Sequence, residues 1–139
     1  MELPSMKVAY TLGPPHDDVD GPKARVSPDG KWVLVWGTDR RLDLFDAATG
    51  KLQGQHPGSG QISEVYMASD SSACYVVFDN SSLVKLSFPG LKITQSLSIT
   101  GGGEFISFSP NGKLFAMPQG EGDQERIVFF DAATLKPLE

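Results

Sequence analysis

The chain has 139 residues, 40% hydrophobic and 21% charged, the balance of a folded globular domain rather than a disordered segment. Its formal charge of −5 argues against the counterion release that drives nucleic-acid binding and against electrostatic attachment to anionic lipid. No apolar run reaches the ~20 residues of a membrane helix, no cleavable leader opens the chain, and the single cysteine, Cys74, permits no internal disulfide; together these predict a cytoplasmic protein.

Residues 1–5 read as a tag or disordered N-terminus, and residues 6–139 as one domain. Met6, Val8, Tyr10 and Leu12 alternate with smaller or polar residues, the period of a half-buried strand. Gly13 to Pro22 follows as an exposed loop, rich in proline and carrying His16, Asp17, Asp18 and Asp20. Ala24 and Val26 form a short strand leading into Ser27-Pro28-Asp29-Gly30, whose Pro and Gly positions suit a type I turn. Trp32 to Trp36 is apolar on both faces and predicts a central strand covered on each side. After a turn at Gly37 to Arg40, Leu42 to Phe45 alternates into Asp46, and a polar, Gly-interrupted outer strand runs from Lys51 to His56.

The unit then returns. Ser109-Pro110-Asn111-Gly112 repeats Ser27–Gly30 at an offset of 82, and Ala68-Ser69-Asp70-Ser71 stands midway. Val65 and Met67, then Ile106 and Phe108, fall at the places of Ala24 and Val26. Ala73 to Phe78 and Leu114 to Met117 are the corresponding central strands, the latter stopped by Pro118. Val84, Leu86 and Phe88 alternate in the next strand, and Ile93, Leu97 and Ile99 line one face of a fourth, with Gln95 the exception. Phe129-Phe130-Asp131 repeats Leu44-Phe45-Asp46 after a longer loop, Gln119 to Glu125, and the fourth strand of the last unit is truncated. A period of about 40–45 residues with four strands per unit signals propeller blades. Blade 1 spans about 23–57, blade 2 about 61–100 and blade 3 about 103–138. The predicted fold is all-β, with three blades of four antiparallel strands, a partial propeller.

SPDGKWVLVWG, LDLFDAATGKL and the aromatic-Asp endings Leu44-Phe45-Asp46 and Phe129-Phe130-Asp131 resemble the WD-repeat family across roughly residues 6–138. Two family features are missing: no Trp-Asp dipeptide occurs, and no Gly-His pair precedes the first strands.

Three blades do not close a ring, since propellers run typically from 4 to 8 blades. Either two chains associate into a six-bladed ring, each lending Met6, Val8, Tyr10 and Leu12 to the other's third blade, or the chain is an excerpt of a longer propeller.

Chemistry is less visible. Aligning Gly21 with the turn glycine of a calcium loop puts His16 and Ser27 at the end positions, both wrong for calcium, so the acidic loop reads as solvated. Gly101–Gly103 lacks a phosphate-loop continuation. Cys74 reads as an inert core thiol, His56 as exposed, Asp39-Arg40-Arg41 as a solvated cluster, and Trp32 and Trp36 as packing against a neighbouring blade. The first-strand residues, Ala24 and Val26 included, also read as packing.

The sequence therefore predicts no catalytic, metal or cofactor site. It predicts a non-enzymatic protein-interaction scaffold with unnamed protein partners and no nucleic-acid or membrane partner. A part of a larger enzyme or sensor is the alternative. Binding is expected on the irregular loops, at His16, Asp17, Asp18 and Asp20 and at Glu121, Asp123 and Glu125.

Overall fold

The computed structural model describes residues 23–37, 41–57, 60–79, 81–100, 106–120 and 122–138. Each repeat starts from a turn that its own side chains close. In the first, Gly30 N–H donates to Ser27 O at 2.9 Å, and Gly30 takes the left-handed conformation at φ +75°. Ser27 Oγ accepts from Trp32 N–H at 3.0 Å and donates to Asp29 Oδ1 at 2.7 Å. The same bonds recur at Ser109–Leu114, with Asn111 in place of Asp29. In the middle repeat Ser71 holds the positive φ instead, and its hydroxyl accepts from Asp29 N–H at 3.0 Å. That bond ties the first repeat's turn to the second's.

Antiparallel strands grow from these turns. Blade 1 has the order β1 (Lys23–Val26), β2 (Trp32–Trp36), β3 (Leu42–Asp46), β4 (Leu52–His56). Blade 2 repeats it with β5 (Ile62–Met67), β6 (Ala73–Phe78), β7 (Ser82–Ser87) and β8 (Lys92–Ser98). Blade 3 has β9 (Ser107–Phe108), β10 (Leu114–Gln119) and β11 (Arg126–Asp131). Its fourth strand only begins, with a bridge between Phe130 and Pro137 and Leu138 N–H bonded to Phe129 O at 2.7 Å. The fold is thus all-β and built from propeller blades, as the repeat predicts.

The aromatic-Asp endings have a structural purpose. Asp46 Oδ1 accepts from the N–H groups of Ala48 and Thr49, and Asp131 Oδ1 from those of Ala133 and Thr134, all within 3.0 Å. Each carboxylate caps the turn that follows its strand, a local bond that Asp readily makes.

Two apolar cores hold the blades face to face. Between blades 1 and 2 lie Leu34, Trp36, Leu44, Val65, Val76 and Leu86; between blades 2 and 3 lie Tyr75, Val77, Leu83, Phe115, Met117 and Phe130. Alternation along β6 explains the sharing: Cys74, Val76 and Phe78 point one way, and Ala73, Tyr75 and Val77 the other. All six β6 residues are buried. The Cys74 thiol is fully enclosed, in the core as expected, and pushed up to about 12 by burial.

Four expectations need correction. Among the described residues β2 is covered on one face: Leu34 and Trp36 face blade 2 and are buried, while Val33 and Val35 are half-buried. Ala24 and Val26 do not pack; they are exposed, Val26 at 59%, because no described blade stands on that side. Pro118 does not stop its strand, since β10 continues through it and pairs it with Ile127. Strand alternation turns the missing N–H toward β9, beyond the two residues that β9 contributes. Finally, Ile93 does not share a face with Leu97. A register shift between Lys85 and Leu86 sets Gln95 opposite Lys85 and Ile93 opposite Leu86, so Ile93 points to the other side and is 56% exposed.

Candidate interaction surfaces

The two ends of the blade stack differ from its middle. Among the described residues, blade 2 is covered on both faces, whereas blades 1 and 3 are each covered on one. Because Leu34 and Trp36 face blade 2, Val33 and Val35 face the opposite way, alongside the exposed Val26. At the far end, Phe130 and Val128 pack toward blade 2, so Ile127 and Phe129 point outward, 60% and 53% exposed. Each end of the stack therefore offers an apolar sheet face.

Of the acidic loop residues, Asp123 and Glu125 are described. Both are exposed, around a one-turn 3-10 helix at Gly122–Gln124. They border an open hollow with Gln119 and Arg126. Gln119 anchors this loop to blade 2: its Oε1 accepts from Thr100 N–H and Oγ1, both at 2.8 Å. Glu121, His16, Asp17, Asp18 and Asp20 lie outside the described residues, as do Met6, Val8, Tyr10 and Leu12. Among the described residues no group of three or more His, Cys, Asp or Glu side chains could hold a metal ion.

Two polar residues read as exposed are not. Arg41 reaches back to Asp43, Nε to Oδ2 at 3.1 Å, and Asp43 is 1% exposed. Gln55 Nε2 donates to the other carboxylate oxygen at 2.8 Å. His56 is half-buried against Phe78, with ring centroids 6.0 Å apart; its Nε2 is buried and has no hydrogen-bond partner among the described residues, and desolvation lowers its pKa.

Sequence reasoning missed a cleft of about 310 Å³ between blades 2 and 3, at the end of the sheets where the repeat turns lie. Tyr75 and Lys85 are at its base, with Lys85 Nζ 5.6 Å from the centre of the Tyr75 ring. Tyr75 OH donates to Ala132 O at 2.8 Å, and burial beside Asp70 and Asp131 pushes the phenol up to about 12. Asp70 and Asp131 stand on opposite blades. The hydrogen bonds from Ser72, and the weaker pull of Lys85, hold Asp70 below its ordinary value. Those from Thr134 and Ala133, with Lys85 again, do the same for Asp131. The available signal was Lys85 itself: an ammonium amid Leu83, Val84 and Leu86, at the place Leu44 holds one repeat earlier.

No protein-family model matches the chain. Solved structures do resemble it. They include the hydrazine synthase of Kuenenia stuttgartiensis (16% identity, TM-score 0.67, covering 86% of this chain and 36% of that one). The β-propeller domain of Cps50 (Swd1) from Myceliophteria thermophila matches at 14% identity and TM-score 0.63, covering 84% and 39%. BamB from Moraxella catarrhalis matches at 12% and 0.63, covering 82% and 35%. β-Propeller proteins are thus among its structural neighbours, and the likeness is one of fold. The chain spans little more than a third of each.

Proposed function

We propose that the protein is a non-enzymatic protein-interaction scaffold, a set of propeller blades that works by associating through its end faces. The observation that supports this most is the contrast between buried and exposed faces. The positions of Val26, Val33 and Val35 on blade 1 are, in blade 2, those of Met67, Cys74 and Val76, which pack in the core between blades 1 and 2. The places of Ile127 and Phe129 are those of Leu83 and Lys85, which face blade 3. Each end face is therefore one half of a blade junction. Exposed apolar faces of this kind mark association sites.

The blade 3 face of one copy and the blade 1 face of another would complete both halves, and two such contacts would close a six-bladed ring. Met6–Leu12 is the proposed strand exchanged to blade 3, where β11 lacks a full fourth strand. The partners are proteins rather than nucleic acid or membrane; among the described residues no helix is long and apolar enough to cross one. The same reading keeps the cytoplasm as the compartment, on the strength of a single cysteine.

Light scattering on a sizing column, across a dilution series, tests the reading. The expected result is a species of twice 15.0 kDa that becomes monomeric with either Val26→Asp or Phe129→Asp, since a head-to-tail contact needs both faces. A cooperative monomer at every concentration overturns the ring. A second reading, blades of a larger enzyme or sensor protein, is favoured by the share of the solved structures that the chain spans. Concentration-dependent aggregation in place of a defined dimer supports it.

A further inference from the structure

The two junctions can be compared position by position, because their backbone bonds coincide. Ala47, Phe88 and Ala132 each donate N–H to the residue just before a second strand, at Lys31 O, Ser72 O and Lys113 O. At the junction of blades 1 and 2, the Trp32 and Phe88 rings meet with centroids 6.0 Å apart. The equivalent pair at the junction of blades 2 and 3 is Ala73 and Ala132. Leu34 and Leu44, both fully buried, become Tyr75 and Lys85. Two large rings are lost, and a phenol and an ammonium replace two leucines. The two polar replacements, Tyr75 and Lys85, line the cleft, together with Asp70, Lys113 and Asp131.

Its charges are balanced and available. Lys85 and Lys113 make no salt bridge to any described residue, and Asp70 and Asp131 each use one oxygen, Oδ1, to close a turn. Two ammonium groups and two carboxylate oxygens thus face one small space. A ligand of one sign meets as much repulsion as attraction there. One that carries both signs can pair with both. The volume suits the ends of two side chains or a short peptide.

We propose that this cleft docks a short segment of a partner protein bearing neighbouring acidic and basic side chains, the acid on Lys85 and Lys113 and the base on Asp70 and Asp131. This rests on the scaffold reading and adds where and what it binds. The probe is the capped peptide acetyl-Gly-Glu-Lys-Gly-amide, titrated into the full chain while backbone amide NMR shifts are followed. Saturable shifts at Asn111, Gly112, Ala132 and Ala133 are expected. Binding should be about tenfold weaker for the matched Glu-Glu and Lys-Lys peptides. Lys85→Met, which leaves the backbone frame untouched, should abolish it. Absence of saturable shifts, equal binding of the single-sign peptides, or binding unchanged by Lys85→Met overturns the proposal. Failure of self-association leaves these titrations readable, so the two readings fail separately.

Discussion

The two blade junctions share a backbone frame and differ in how they are filled. The first is filled mainly by aliphatic side chains, with Trp36, Phe78 and the Trp32–Phe88 pair. The second is aromatic in depth, where Tyr66 and Tyr75 both meet Phe108, Phe108 meets Phe115 and Phe115 meets Phe130, with ring centroids 4.8–5.1 Å apart, and polar at its mouth. The difference teaches that a repeat holds its turns and strand register through backbone and Asp, Ser or Asn bonds. That leaves the junction side chains free to diverge toward packing or toward binding.

The most damaging way to break the comparison is Phe115→Ala. Phe115 is fully buried, stacks on Phe130 at 5.1 Å and 9°, and belongs to the second junction alone. Its loss should cost about 3–5 kcal/mol, read as a lower urea midpoint with the Trp32 and Trp36 fluorescence transition moved in step if the blades unfold together. Gly54→Ala strikes the first junction instead. A Cβ there meets the backbone carbonyl of Pro89, on the turn after β7, so blade 1's outer strand must shift. Such overpacking costs about 1–3 kcal/mol, and the urea midpoint should fall while the peptide cleft, on the other junction, still binds.

Tyr75→Phe removes the bond to Ala132 O but keeps the ring, for a smaller loss of about 1 kcal/mol by the same measurement. The gentlest prediction concerns pH. Asp29, Asp70 and Asp131 all have folded pKa values below the ordinary 3.8. Depressed carboxyls contribute stability that is fully present above the unfolded value. It is lost as pH falls below 3.8 and on through the folded values. Lys85→Leu removes the ammonium that helps depress Asp70 and Asp131, so part of this acid-dependent loss should vanish. A thermal melting series from pH 5 to pH 2 checks it: the variant's curve should be shallower than the native one.

Much of the fold is legible in the sequence. The Ser27–Gly30 and Ser109–Gly112 turns carry their own hydrogen-bonding side chains, and the alternation in β3, β7 and β11 names the strands, because these signals are local. Misreadings arose where a distant neighbour decides. Ala24 and Val26 carry the same apolar signature as Val65 and Ile106, yet they are exposed because nothing described covers them. The register shift at Lys85 and Leu86 cannot be inferred from β8's composition, since a bulge is a property of the pair.

The chain's period, turn chemistry and alternation by themselves determined the architecture: local hydrogen bonds and a side-chain period of two depend only on nearby residues. Which faces are covered, and that Asp70, Tyr75 and Lys85 of one blade meet Lys113 and Asp131 of the next around a charged cleft, was decided by the packing of blade on blade. Asp70 and Asp131 are 61 positions apart in sequence, and a void exists only where separate surfaces meet without filling the space between them.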